Sequence, residues 1–391
     1  MLAGLIFATE DAEGRRDTLA ATLPFGGMTL IEYQARLMVA AGVSHLIVVV
    51  ARVTPALLGA VARIGRRGVA VDVVRSAEEA VGKLHPLARV LVFADALVTT
   101  DTVALTLASE APDALLVTAE TGGRVAVERV DAAHHWAGVA LVSANRVADI
   151  AAMPRDYDFQ STLLRVSVQT GAGLLLLPAS EVKAGHGVER DPAALAARSN
   201  GVLIALANQR IGWADRFVFT PVTRIILPWL VARAVPDWAM VSAGAVFALA
   251  SIILVALGWM AVGAALAPFA VACWTSGTLL SGLRGSDRLA LGQEWAIRAF
   301  AALLALALGV RESLAMGGPL PVALALGLVA VAAIAERLPA RRRPWTCDAP
   351  FYVLVLAVSA LAGQVAIGLA VAAAISIATL AALVETIREK P

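Results

Sequence analysis

The chain has 391 residues, 59% of them apolar, and 32 Lys and Arg against 30 Asp and Glu give a formal charge of only +2. That balance makes no electrostatic case for nucleic acid, and the two cysteines, Cys273 and Cys347, suggest neither a disulfide scaffold nor a metal cluster. The length is ample for two domains with sizeable cores.

The opening MLAGLIFATEDAEGRR has an apolar start but no basic region and no cleavage signature, and reads as a buried strand rather than a signal peptide. Residues 2–8 and 45–51 are apolar runs of strand length, and TLIEYQARLMVAAGV at 29–43 between them has helical spacing with Gly42 as its C-terminal stop. LLGAVARI, VAVDVV at 69–74, VLVFAD at 90–95, DALLVTAE at 113–120 and HWAGVALVS at 135–143 continue the alternation. This predicts an α/β domain over 1–200, its sheet mostly parallel, with ligands beyond the carboxyl ends of the strands.

Asp95 stands at such an end, where it would hold Mg²⁺ against nucleotide phosphates or cap the next helix. The loop TEDAEGRRD at 9–17 offers Gly14, Arg15 and Arg16 to a phosphate, or is a solvated turn. Gly26 and Gly27 precede a helix N-terminus that could face an anion. Lys83 is a phosphate-binding candidate or a solvent-facing lysine, and His134 and His135 lack a third ligand at zinc spacing.

Residues 201–238 are a connector with Arg210, Arg216, Arg224 and Arg233 interleaved with Trp213, Phe217, Phe219 and Trp229, as in an amphipathic helix at a membrane surface. Pro221 marks its start and Pro236 a stop. Over 239–391, six apolar segments follow: 239–258, 261–281, 297–315, 319–335, 350–365 and 367–384. Each approaches the roughly 20 residues that cross a bilayer. Arg284 and Arg288 in a loop at 282–296, Arg337 and Arg341–Arg343 in a loop at 336–349, and Arg388 and Lys390 in the tail fall on one side, with Arg311 a weak exception. The positive-inside bias makes that side cytoplasmic, with the N-terminal domain and the C-terminus. The expectation is a multi-pass protein of the inner (plasma) membrane.

The stretch LPFGGMTLIEYQARLMVAAGVSHLIVVV and the segment FADALVTTD resemble the sugar-phosphate nucleotidyltransferases, cytidylyltransferases among them. The resemblance implies a Rossmann-like domain that binds CTP or another nucleotide, with Asp95 a Mg²⁺ ligand and Gly14, Arg15 and Arg16 near the nucleotide. Phe25 stands where that family carries lysine.

RIGWADRFVFTPVTRIILPWL and CDAPFYVLVLAVSALAG resemble CDP-alcohol phosphotransferases, which implies an all-α six-helix transmembrane domain with lipids and a second copy of the chain as partners. That family's motif D-x-x-D-G-x-x-A-R, eight residues, G-x-x-x-D-x-x-x-D falls on Cys273, Ser276, Gly277, Leu280, Ser281, Ala290, Glu294 and Arg298. Of four metal-binding acids only Glu294 remains, so the motif reads as the relic of a two-metal site. Glu294 and Arg298 are spaced to pair along a helix, and Gly277 and Gly282 to let helices pack closely. Two functions fit: an N-terminal Mg²⁺-dependent nucleotidyltransferase, or a non-catalytic nucleotide- or lipid-binding membrane scaffold partnering an active homologue.

Overall fold

A computed structural model describes the chain except for residues 112, 120–124, 155–156, 209–211, 234, 339–345 and 389–391. Arg210, Arg341–Arg343 and Lys390 therefore lie outside the described residues. The chain divides into two compact units, Met1–Val202 and Leu203–Pro391.

In the first unit the elements run β1 (Leu2–Ala8), α1 (Leu30–Ala40), β2 (His45–Val50), α2 (Pro55–Gly65), β3 (Ala70–Val74), α3 (Ala77–Val81), β4 (Arg89–Phe93), α4 (Asp101–Ser109) and β5 (Ala114–Thr118). Then come β6 (His135–Ser143), α5 (Ala144–Ala151), α6 (Phe159–Gln169), β7 (Gly173–Leu176), α7 (Ala179–Lys183) and α8 (Pro192–Asn208), inside which the division falls. The strand order is β3-β2-β1-β4-β6-β5-β7, with Glu128–Arg129 pairing to the side of β6.

β1 is parallel to β2 and β4, but β6 is antiparallel to both β4 and β5, so the sheet is mixed. Six of the seven strands run the same way, so the sheet is mostly parallel as expected, and β6 alone is reversed because apolar runs carry no sign of strand direction. Leu5, Ile6, Leu46, Val48, Val90 and Val92 are wholly buried, as strands covered on both sides require.

Local chemistry sets the helix starts. Thr29 and Glu32 form a capping box at α1, while Thr54, Ser76, Thr100 and Asp158 each accept a backbone N–H at the start of α2, α3, α4 and α6. Gly26 and Gly27 both have positive φ in the tight turn that joins Pro24–Phe25 to Met28–Thr29. Phe25 points inward, 1% exposed, and stacks at 4.5 Å on Tyr33. An aromatic at this position is thus a core residue.

In the second unit a π-helical turn, Asp215–Phe219, leads into α9 (Thr220–Ala232), and Pro236 caps α10 (Asp237–Ala256) rather than stopping a helix. There follow α11 (Met260–Leu283), α12 (Asp287–Met316), α13 (Leu320–Arg337), α14 (Ala349–Leu361) and α15 (Val365–Arg388). Val255, Val271, Leu304, Leu308, Leu328, Val353, Leu356 and Leu369 from these six helices share one core. Outward-facing Val246, Leu249 and Ile253 are more than half exposed, an apolar surface that suits lipid better than water.

Five of the helices, all but α14, are long and apolar enough to cross a membrane, which suggests a membrane protein. The expected fifth span at 350–365 is broken because Gly363 turns left-handed and ends α14 after 13 residues. The loop expected at 282–296 shrinks to a short turn, since α12 begins at Asp287 and takes Arg288 into its first turn.

Candidate functional site

A cleft of about 510 Å³ opens beyond the carboxyl ends of β1 and β2, between the start of α3 and the segment joining α5 to α6. Phe7 and Phe159 meet edge to face at 5.3 Å in its wall. Val49, Ile150 and Met153 add apolar surface, and Thr9, Arg75, Ser76, Glu78, Glu79, Tyr157, Asp158 and Gln160 bring polar groups. The position follows from topology. Open α/β sheets take ligands beyond the carboxyl ends of their strands, and β1 and β2 both end at this cleft. The volume lies in the range of small-molecule sites.

Beside the cleft, Asp95 is only 2% exposed. Its Oδ2 accepts the Thr9 N–H at 2.5 Å, the Glu10 N–H at 2.7 Å and the Thr9 hydroxyl at 3.2 Å. Its own N–H donates to Gln160 Oε1 at 2.9 Å. Burial pushes the carboxyl up to about 6, against the pull of the two N–H groups, the hydroxyl and Arg190. Ala96, the next residue, has φ of 55°, a left-handed conformation that costs an L-residue about 1–2 kcal/mol.

The donor set does not suit Mg²⁺. Oδ2 is already saturated by donors, and Oδ1 is buried with no hydrogen-bond partner. Magnesium needs an octahedron of oxygens, usually several of them water. Among the described residues no three His, Cys, Asp or Glu side chains stand together as a metal-binding group. Asp95 thus ties the turn after β1 to the end of β4.

The other sequence candidates do not converge on the cleft. Gly14, Arg15 and Arg16 belong to a hairpin in which Asp11–Ala12 pairs with Arg15–Leu19, and all three are exposed. Arg52 fastens this hairpin through Asp11 and the Arg16 carbonyl. The Gly26 N–H is taken by Ser199 Oγ at 3.0 Å, and Glu32 occupies the N-terminus of α1, so no anion site forms there. Lys83 pairs with Asp72 at 3.1 Å, which also meets His45 at 2.8 Å. These partners sit on the neighbouring strands β2 and β3. His134 contacts Asp131 at 2.9 Å.

Sequence reasoning missed the segment Gly185–Arg198. His186, wholly buried, contacts Thr99 Oγ1 and the Ala137 carbonyl at 2.8 Å each, and burial drives its imidazole down to about 4. Gly187–Val188 pairs with Leu97–Val98. The Glu189 N–H donates to the Ala96 carbonyl, the Arg190 carbonyl accepts from the Glu13 N–H, and Glu189 pairs with Arg198 at 3.3 Å. The one signal in the sequence was the charged run Val188-Glu189-Arg190-Asp191-Pro192, dense in charge just after a glycine-flanked histidine.

In the helical unit, α11 carries Cys273, Ser276, Gly277, Leu280 and Ser281, and α12 carries Ala290, Glu294 and Arg298. The residue of α12 that faces Gly277 is Gln293, 1% exposed, whose two amide atoms lack hydrogen-bond partners. Ser276 Oγ meets Thr223 Oγ1 at 3.3 Å, and Ser281 is wholly buried. Glu294 is half-buried beside Gln293. Arg298 pairs with Glu336 on α13 at 3.3 Å and lies over the Trp295 ring, so the expected Glu294–Arg298 pair is replaced by one between helices. Gly277 is a close-packing position, but Gly282 has open space around it.

No protein-family model matches the chain, and no curated protein matches it. Among solved structures, the inositol-1-phosphate CTP transferase from T. maritima is similar over 45% of this chain and 84% of its own, at 14% identity and a TM-score of 0.34.

Proposed function

We propose that this is a membrane protein whose N-terminal domain, of nucleotidyltransferase type, binds a nucleotide in the cleft beyond β1 and β2. The carrying observation is the cleft itself: about 510 Å³ with aromatic walls and polar groups at its rim, at the crevice where open α/β sheets take ligands. Phe7, Phe159 and Tyr157 suit a nucleobase, and Thr9, Ser76 and Gln160 suit sugar hydroxyls. The helical unit serves as a membrane anchor of phosphotransferase-like pattern, in which Gln293 and Ser276 fill the region that a two-metal mechanism would give to acids. The N-terminal domain and the C-terminus face the cytoplasm, as the arginine-rich connections suggest.

The test is thermal unfolding of the purified full chain with CTP, UTP and CDP-alcohols, each with and without Mg²⁺. A nucleotide at 100 times its Kd stabilises by about 2.7 kcal/mol. The shift should vanish in Ala51→Trp, which fills the cleft at an exposed wall residue. No shift with any nucleotide, or one indifferent to Ala51→Trp, would overturn the reading.

The non-catalytic scaffold is the second reading, favoured by the use of Asp95 to hold Thr9 and Glu10. It expects binding without nucleotide turnover, and no transfer from radiolabelled CDP-alcohols in membranes containing the protein.

A further inference from the structure

Resting on the nucleotide reading of the cleft beyond β1 and β2, we propose that Gln160 and Thr9 read the ribose hydroxyls of that nucleotide. Asp95 fixes which of the two donates and which accepts, so the domain takes ribonucleotides in preference to deoxyribonucleotides.

Both residues line the cleft, and both are half-buried. Gln160 comes from the first turn of α6, and its Oε1 accepts the Asp95 backbone N–H at 2.9 Å. A backbone N–H can only donate, so the atom that meets it is the amide oxygen. The NH2 group is what Gln160 has left to offer a ligand. Thr9, just after β1, gives its one hydroxyl proton to Asp95 Oδ2 at 3.2 Å, and its N–H donates to the same oxygen. That hydroxyl keeps only its lone pairs, and it accepts.

Asp95 holds these roles in place. It is 2% exposed, and the Glu10 N–H is a third donor to Oδ2 at 2.7 Å, so its carboxylate is anchored to the backbone rather than free to turn. The cleft thus presents one set donor and one set acceptor. A nucleobase edge carries its donors and acceptors in fixed order, whereas each hydroxyl of a vicinal diol both accepts and donates. The diol therefore meets this pair of groups. Phe159, the residue before Gln160, meets Phe7 in the same wall and leaves the base an apolar seat. A deoxy sugar strands one of the two protein groups, and a site built to bond a hydroxyl discriminates against the analogue that lacks it.

The experiment is isothermal titration of the purified full chain with CTP and UTP and with their 2′-deoxy and 3′-deoxy forms. In wild type the deoxy forms should bind about tenfold or more weakly than the ribonucleotide. Gln160→Met removes the donor and Thr9→Val the acceptor at nearly constant volume. In both, ribonucleotide affinity should fall by about tenfold and the ratio of ribo to deoxy affinity should drop toward one. Thr9→Ser should keep the wild-type ratio. Asp95→Ala, which releases the Thr9 proton, should lower the ratio, and Asp95→Asn, which keeps an oxygen toward Thr9, should preserve it. Equal ribo and deoxy binding by wild type, or a wild-type ratio in folded Gln160→Met and Thr9→Val, would overturn the proposal and leave the nucleotide site standing. A wild-type ratio in folded Asp95→Ala would overturn the positioning role of Asp95. No binding of either nucleotide would overturn both readings. Should Gln160→Met fail to fold, wild type and Thr9→Val decide alone.

Discussion

The side-chain amide of Gln293 on α12 lies so close against Gly277 of α11 that a Cβ there would collide with its oxygen. Two helices meet through an amide and a bare backbone at the very place where the sequence pattern puts a metal site. Gly277→Ala forces these apart and should destabilise the helical unit by about 1–3 kcal/mol. Gly282→Ala, about a turn and a half on and with nothing near its Cβ, should be neutral or stabilising by up to ~1 kcal/mol. Thermal unfolding of both variants in one detergent checks the contrast. Equal losses would mean that the contact at Gly277 carries no weight.

Asp95→Ala leaves the Thr9 and Glu10 N–H groups without their acceptor. Stranding these part-buried donors costs at most about 1–3 kcal/mol, and the loss should be local. Hydrogen exchange should speed up at Thr9 and Glu10 by roughly tenfold or more, while the β2 amides stay protected. Unchanged exchange at both residues would show that the turn holds itself.

Two buried groups give the N-terminal unit opposite pH responses. His186 is lowered from 6.5 to about 4, so the unfolded chain binds the extra proton first, and stability falls as pH drops from about 6.5 to 4. Fully developed, that shift is worth roughly 3 kcal/mol. Asp95 is raised from 3.8 to about 6, so the native state binds its proton first, and stability rises as pH drops from about 6 to 4. The two should largely cancel below pH 6. In Asp95→Asn the His186 loss should stand alone, visible as a steeper fall in unfolding temperature between pH 6.5 and 4. A wild-type profile as steep as the variant's would contradict the pairing.

For topology, cysteine labelling at position 342 and at Gly317 should report opposite faces, with 342 reached only from the cytoplasm. Labelling of 342 from outside would reverse the proposed orientation.

Much of the N-terminal fold was legible because its central strands are short apolar runs: 2–8 and 45–51 are β1 and β2 almost to the residue. The helical run was legible for the same reason. What pairing patterns could not show was context. Asp95 read as a strand-end carboxylate open to a metal, yet the Thr9 and Glu10 amides that claim it come from 86 and 85 residues away. Lys83 read as a phosphate-binding candidate or a solvent-facing lysine, because its partner Asp72 lies on β3, in another element. A gapless motif put weight on Glu294, whereas helical rotation turns its neighbour Gln293 toward α11.

α14 has a consequence of its own for the lipid around it. Its 13 residues rise about 20 Å, roughly 10 Å less than a bilayer's hydrocarbon core. Asp348 at one end and Gln364 just past the other mark where water-seeking groups resume. Were α14 to cross a bilayer, the bilayer would have to thin around it, and such mismatch costs fractions of a kcal/mol per Å. Short-chain lipids would remove that cost, so a chain that crosses through α14 would gather in the thinner patches of a membrane, its place in the plane set by the length of this one helix.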